Sequence, residues 1–148
     1  MKSFYYAFRG IVAVIKNEHN MRIHLCFCFY VILAGFVTGI SDLQWAIVLL
    51  CMALVMGLEC INTGLEKLCD AFCPEKSKTV GFAKDAAAGS VLIAAVFSAA
   101  VGIMIFFKED KLSAALKFLK EKPLWSALIL LTLIPLGIFA LRGRRKKK

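Results

Sequence analysis

The chain has 148 residues, of which 60% are hydrophobic, and its mean hydropathy is +0.75. A soluble core of this size could not hide that much apolar surface, so the composition predicts an integral membrane protein. The net charge of +9 does not indicate a nucleic-acid-binding protein, because the basic residues flank apolar segments instead of forming one exposed face with interleaved aromatic residues.

The first 20 residues show a helical pattern of large apolar side chains. These recur at spacings of four, three and four: Phe4, Phe8, Ile11 and Ile15. Basic residues lie mostly on the other faces of the helix, which is typical of a helix lying in the membrane interface. Such a helix would deliver Glu18 to the mouth of the first membrane span. No small-residue cleavage site follows, so we expect this segment to be retained.

Four apolar segments are each close to the ~20 residues that cross about 30 Å of hydrocarbon. They are His24 to Ile40, Leu43 to Leu58 running on to Leu65, Ala86 to Phe107, and Leu124 to Leu141. Gly39 to Asp42 predicts a tight turn between the first two, and Pro135 should bend the fourth. The sequence therefore predicts an all-α membrane protein with an interfacial helix and four transmembrane helices.

The distribution of Lys and Arg predicts the orientation in the membrane. If both termini are cytoplasmic, 14 of the 19 Lys and Arg residues lie on the cytoplasmic side and five lie between Lys108 and Lys122. Cytoplasmic loops carry the excess of positive charge in membrane proteins, so we expect this arrangement. The segment between Lys108 and Lys122 itself resembles a surface-lying amphipathic helix.

A stripe of polar side chains runs along the end of the second span. Glu59, Asn62, Glu66 and Asp70 are offset by 3, 7 and 11 residues, so they share one face of a helix. A carboxylate near mid-membrane costs roughly 2.5–3.5 kcal/mol on insertion scales, which is too much for packing alone to explain. The stripe therefore indicates a functional site.

Other common sites are not indicated. Four of the six cysteines lie in apolar spans, no Cys-x-x-Cys pair exists, and the two histidines are distant from Cys69 and Cys73. We therefore expect neither structural zinc nor a structural disulfide. The sequence also lacks the P-loop, Gly-x-Gly-x-x-Gly and His-Arg-Asp motifs, so any phosphate site must be built from the spans.

Three sequence blocks are similar to the signatures of the prokaryotic diacylglycerol kinase family. They are Glu18-His19-Asn20-Met21-Arg22-Ile23-His24, Glu59-Cys60-Ile61-Asn62-Thr63-Gly64-Leu65-Glu66 followed by Asp70, and Ala83-Lys84-Asp85-Ala86-Ala87-Ala88-Gly89. The resemblance implies a small bacterial plasma-membrane lipid kinase, a homotrimer with shared active sites, which transfers the γ-phosphoryl group of MgATP to a lipid alcohol at the cytoplasmic face. It implies a kinase-like domain over residues 1–107. Residues 108–148, with the amphipathic segment, the fourth span and a basic tail, have no counterpart in it.

The resemblance also implies roles for individual residues. Glu59 would be the general base and Asn62 would orient it or the lipid hydroxyl, while Glu18 and Glu66 would hold Mg²⁺. The remaining implied nucleotide and phosphate contacts are Tyr6, Glu75, Lys84 and Asp85. One or two carboxylates with substrate phosphates suffice for Mg²⁺, and a lysine can neutralise charge on the transferred group.

Alternatives remain open at this point. The Asn20–His24 stretch and the Asp85–Gly89 linker resemble the undecaprenol kinase branch more than the diacylglycerol kinase branch, although both acceptors are primary alcohols on apolar tails. A channel or proton-coupled transporter would need acidic residues in both membrane halves, and the outer halves of the spans contain none. A structural adaptor would not require Glu18, Glu59 or Lys84.

Overall fold

The computed structural model describes residues 2–73 and 77–141, and its regular structure in these ranges is entirely α-helical. The helices are α1 (Lys2–Asn17), α2 (His19–Thr38), α3 (Asp42–Phe72), α4 (Lys78–Phe106), α5 (Glu109–Glu121), α6 (Pro123–Leu131) and α7 (Leu133–Leu141). Four stretches in these ranges are long and apolar enough to cross a membrane: α2, α3, α4 and the continuous stretch Pro123–Leu141. The predictions of an all-α membrane protein and of four spans are confirmed.

Helix α1 is amphipathic and is joined to α2 at Glu18, which has an extended backbone. Its face carrying Phe4 and Phe8 is exposed, as an interfacial helix requires. Arg22, on α2, donates from Nη1 to the carbonyl oxygens of Ile15 and Lys16, at 3.2 Å each. A cation on the last carbonyl groups of a helix stabilises its end, so Arg22 also fixes how α1 meets α2.

The α2–α3 hairpin turns over Gly39 to Ser41. Gly39 adopts φ 59°, the left-handed conformation that glycine reaches without steric cost, and ends α2. Ser41 begins α3 through a capping box with Gln44, in which each side chain bonds the other residue's backbone N–H. The indole ring of Trp45 then packs directly on Gly35, so the two helices approach closely beside the turn.

The C-terminal helices pack on α2. The Lys111 ammonium donates to the carbonyl oxygens of Gly39, at 2.9 Å, and Thr38, at 3.3 Å. The Tyr30 hydroxyl lies 3.0 Å from Thr132 Oγ1, and the Cys26 thiol donates to the Leu136 carbonyl at 3.4 Å. The fourth span is therefore docked on α2 near its own midpoint.

The fourth span is broken at Thr132, between α6 and α7. Pro135 lies three residues further on; it has no N–H to donate, and its ring crowds the carbonyl of Leu131. The Thr132 N–H is shared between the carbonyls of Leu128 and Ile129, as in a tightened helix end. The helix is thus interrupted close to Pro135, as expected of a proline that bends or weakens the span locally.

Candidate active site

The first two residues of the polar stripe of α3 are buried among the helices, Glu66 is half-buried and Asp70 is exposed. Glu59 is 2% exposed and Asn62 is 7% exposed, whereas most large apolar residues on the helix surfaces face outward. Glu59 lies 17 residues after the start of α3, which is about 25 Å along the helix axis. The stripe is therefore directed into the protein, at the end of α3 away from the Gly39 turn.

A cavity of about 220 Å³ lies beside Glu59, and we call it the Glu59 cavity. Glu59 and Asn62 line it from α3, Asn20 and His24 from α2, and small or branched residues such as Ala88 from α4. The small α4 side chains leave the space that larger residues would fill. The polar groups of two spans thus meet around one partly open cavity.

Asn62 is linked to Glu66, one helical turn further along the stripe. Its Nδ2 donates to Glu66 Oε1 at 3.4 Å, a long hydrogen bond, while its Oδ1 is buried with no partner in the described residues. A buried amide oxygen without a partner is costly, and it is a place where a ligand hydroxyl can donate. Asn62 therefore offers an acceptor beside Glu59.

Glu18 reaches the same region from the α1–α2 junction. Its Oε1 lies 4.0 Å from Lys67 Nζ on α3 and is otherwise buried without a hydrogen bond. Both Glu18 and Glu66 are close enough for their charges to act on Glu59. The fold thus brings three carboxylates from distant parts of the sequence to one end of the bundle.

The donor set fits magnesium better than a transition metal. No group of three or more His, Cys, Asp or Glu side chains with metal-binding geometry exists in residues 2–73 and 77–141. Mg²⁺ does not require one, since one or two carboxylates with substrate phosphates commonly hold it. Glu18 and Glu66 could supply those carboxylates, and Glu18 Oε1, which is buried without a hydrogen bond and lies 4.0 Å from Lys67 Nζ, is one candidate ligand atom.

Lys84 stands on the first turns of α4, facing the end of the stripe. Its Nζ donates to Asp70 Oδ1 at 2.9 Å, and its charge also interacts with Glu66. The sequence pattern placed Asp70 on the stripe but gave no sign that it pairs with Lys84. Asp85 is exposed on α4 and forms no ion pair with the described part of the chain.

One predicted nucleotide contact, Tyr6, lies apart from these residues. Tyr6 is on the exposed side of α1, with its ring 5.6 Å from the guanidinium of Arg9. It lies 11 residues before the end of α1, about 16 Å along the helix. Glu75 falls outside the described residues, as does the basic tail, 142–148.

A second cavity, of about 520 Å³, lies between α1 and α3, and we call it the α1–α3 groove. Gly10 and Gly64 line it, and a Cβ at either position would project into open space. Thr63 and Lys67 line its α3 side, and Thr63 Oγ1 is buried without a partner. Thr63 follows Glu59 by one helical turn, a spacing that could have drawn attention to it in the sequence.

An apolar groove of about 490 Å³ runs between α2, α3 and α4 toward the Gly39 turn. Its walls are almost entirely apolar, and Ser98 is one of its few polar contributors. His24 and Ala95 line both this groove and the Glu59 cavity. The buried Glu59 carboxylate therefore lies at one end of this apolar groove.

Comparison with known proteins identifies the family of this chain. Residues 5–106 match the family described as prokaryotic diacylglycerol kinase. Undecaprenol kinase of Bacillus subtilis (strain 168) is 35% identical over 105 residues, covering 71% of this chain and 85% of that protein. Diacylglycerol kinase of Synechocystis sp. is 36% identical over 101 residues, covering 68% of this chain and 58% of that longer protein.

No solved structure matches the chain significantly. The family match ends at the last residue of α4, so α5, α6 and α7 lie beyond it. The matched part contains the whole polar stripe, Glu18 and Lys84. The extent of this match and the sequence identity to these relatives show that the chain is a member of the prokaryotic diacylglycerol kinase family of membrane lipid kinases.

Proposed function

We propose that this protein transfers the γ-phosphoryl group of MgATP to the hydroxyl of a membrane lipid, with undecaprenol as the acceptor. The observation that carries the proposal is the Glu59 cavity, in which a buried carboxylate and an amide stand at the end of an apolar groove. A lipid alcohol has the matching shape, with one polar end on a long apolar tail. The Synechocystis relative supports diacylglycerol as the alternative acceptor.

In this proposal the lipid tail lies in the apolar groove and its hydroxyl lies beside Glu59. The Glu59 carboxylate takes the hydroxyl proton as the hydroxyl oxygen bonds to the γ-phosphorus, and the bond from that phosphorus to the β–γ bridging oxygen breaks to release ADP. Before transfer the hydroxyl donates to the unpartnered Asn62 Oδ1, which holds the lipid in place, and it then turns to donate its proton to Glu59. Burial excludes water, which would otherwise compete with the lipid as acceptor.

The nucleotide would bind on the neighbouring face of α3, in the α1–α3 groove. Thr63 offers its unpartnered hydroxyl there, and Tyr6 and Glu75 are proposed as outer contacts. Glu18 and Glu66 would hold the magnesium ion, which when bound neutralises charge on the phosphates. Lys84 would exchange its bond to Asp70 for the transferred phosphate, and Asp85 would lie near the same phosphates.

The remaining expectations are part of the same proposal. We propose a homotrimer with shared active sites, cytoplasmic termini, and a kinase domain over residues 1–107 followed by a separate C-terminal segment. The positive-inside distribution supports the orientation, since 14 of the 19 basic residues lie on the Glu59 side of the predicted spans. The undecaprenol kinase relative, of which this chain covers 85%, supports that acceptor over diacylglycerol.

The test is phosphate transfer by the purified full chain in lipid nanodiscs, with MgATP and either undecaprenol or diacylglycerol. We expect faster transfer to undecaprenol and a loss of about 10²–10⁴-fold in Glu59→Gln, the usual contribution of a general base. Glu109→Gln, on the exposed start of α5, is the matched control and should keep full activity. Transfer to neither lipid would reject the kinase proposal, and full activity in Glu59→Gln would remove Glu59 from the reaction.

A magnesium titration tests the proposed metal carboxylates separately. Glu66→Ala should raise the magnesium concentration needed for half-maximal rate, because one of two carboxylate ligands is lost. The same titration of Glu109→Ala should overlay the wild type. An unaltered titration in Glu66→Ala would remove Glu66 from the metal site while leaving the lipid kinase proposal intact.

A further inference from the structure

A fourth cavity lies between α2 and the C-terminal helices, at the end of the bundle opposite the Glu59 cavity. It measures about 530 Å³, and we call it the α2–α6 groove. Phe29 and Phe36 line it from α2, Phe118 from α5 and Trp125 from α6. Two of its walls come from helices beyond the family match, so the kinase site does not explain it.

The α2–α6 groove has the depth of one membrane leaflet. Along α2 it extends from Phe29 to Val37, eight residues or about 12 Å. Half of a ~30 Å hydrocarbon core is about 15 Å. Its inner end lies at Thr132, which is tied to Tyr30 by their 3.0 Å hydrogen bond. A single acyl chain entering from the membrane surface would therefore fill the groove and stop at this pair.

A cation stands at the mouth of the groove. Lys122 lines it, with Nζ 5.7 Å from the centroid of the Phe118 ring, and forms no ion pair with the described residues. By contrast, Lys117 on α5 lies 3.8 Å from Glu121. Trp125 is 63% exposed beside Lys122, and its indole N–H is a donor. Trp and Lys are the residues that sit at the level of lipid headgroups.

We propose that the α2–α6 groove binds one anionic phospholipid from the leaflet opposite the Glu59 cavity. Its acyl chain would lie between Phe29 and Trp125, and its phosphate would accept from Lys122. A lipid is a better occupant than a second copy of this chain. The described residues offer the Lys122 ammonium no ion pair, so a protein surface placed over it would bury an unpaired charge, which is costly. An anionic headgroup both pairs with the charge and leaves it hydrated.

The test uses quenching of Trp125 fluorescence by brominated acyl chains, with the full chain in nanodiscs. Phosphatidylglycerol and phosphatidylcholine carrying the same brominated chains are compared at increasing mole fraction. The chain has two tryptophans, so Trp125→Phe measures the contribution of Trp45, which is subtracted. We expect half-maximal quenching at about fivefold lower mole fraction of phosphatidylglycerol, the factor that one lysine near an anionic surface provides.

Lys122→Gln should abolish this preference, whereas Lys120→Gln should retain it. Lys120 is the matched control, because it carries the same charge on α5 and does not line the groove. Lys122→Arg keeps the charge and should keep the preference, which guards against a misfolded Lys122→Gln.

Three outcomes would overturn the proposal. Equal quenching of the wild type by both lipids would mean that the groove does not select charge. Equal loss in Lys120→Gln and Lys122→Gln would mean a general charge effect of α5. Absence of quenching by either lipid would mean that protein covers Trp125.

Discussion

Replacing Gly35 by alanine should destabilise the α2–α3 hairpin. A Cβ at Gly35 would lie 2.5 Å from Trp45 Cη2, 2.8 Å from Trp45 Cζ2 and 3.1 Å from Ile40 Cδ1. Carbon atoms pack best at about 3.5–4.0 Å, so the indole ring would have to move by about 1 Å. That ring also contacts Phe36, whose centroid is 5.0 Å away. The movement is therefore resisted.

Overpacking of this kind costs about 1–3 kcal/mol. The population of unfolded protein should rise roughly 5- to 150-fold. Reversible unfolding by SDS in mixed micelles, followed by circular dichroism, measures this change. Gly57→Ala on α3 is the control, because a Cβ there meets nothing within 4 Å and alanine favours helix.

The double variant Gly35→Ala with Trp45→Phe tests the cause. Phenylalanine has no Cζ2 or Cη2, so the closest clashes disappear. Gly35→Ala should therefore lower the stability of the Trp45→Phe variant much less than it lowers that of the wild type. The reasoning is refuted if Gly35→Ala is as stable as the wild type, or if its effect is the same with tryptophan and phenylalanine at position 45. Either result would mean that the two helices are not in contact at Gly35.

Three further predictions concern polar contacts. Tyr30→Phe and Thr132→Val should be coupled by about 0.6 kcal/mol, and by no more than ~1.7, in a double-mutant cycle of SDS unfolding, because hydrogen bonds between membrane helices average that value. Lys84→Gln should lower the phosphate-transfer rate about 10²–10³-fold, as loss of one transition-state donor does. Asp70→Asn should keep the rate, and it should change the stability by less than ~1 kcal/mol because its partly exposed ion pair with Lys84 contributes little. Lys67→Gln should lower the magnesium concentration for half-maximal rate, because Glu18 loses a competing cation 4.0 Å away.

Each of these predictions has an outcome that contradicts it. Additive effects of Tyr30→Phe and Thr132→Val would mean that the fourth span is not held on α2 by this bond. Equal losses of rate in Lys84→Gln and Asp70→Asn would mean that the ion pair itself, and not the lysine, matters for transfer. A higher magnesium requirement in Lys67→Gln would mean that Lys67 helps to assemble the site instead of competing for it.

The sequence predicted most of the elements correctly because their signals are local. Length and hydropathy located the four spans, and Pro135 located the break in the fourth. The offsets of Glu59, Asn62 and Glu66 placed them on one helix face, since helical geometry repeats every 3.6 residues. In the fold these residues are on α3, and Glu59 and Asn62 are both buried.

Contacts between distant segments could not be predicted in the same way. Nothing in the spacing pairs Lys84 with Asp70, or shows that Lys111 binds the carbonyl groups that end α2. The unpartnered Thr63 hydroxyl was also missed, because burial depends on α1 packing beside α3. The predicted catalytic, metal and nucleotide roles of the site residues all stay predictions.

The sequence alone determined that this chain is helical and membrane-embedded, and that one face of its second span carries acidic and amide groups. Only the tertiary structure decided that this face closes a cavity with α2 and α4, that the cavity opens into an apolar groove, and that the fourth span lies against α2. The physical reason is that hydropathy and helical periodicity act within one segment. Cavities and interhelical hydrogen bonds instead depend on which faces of separate helices meet.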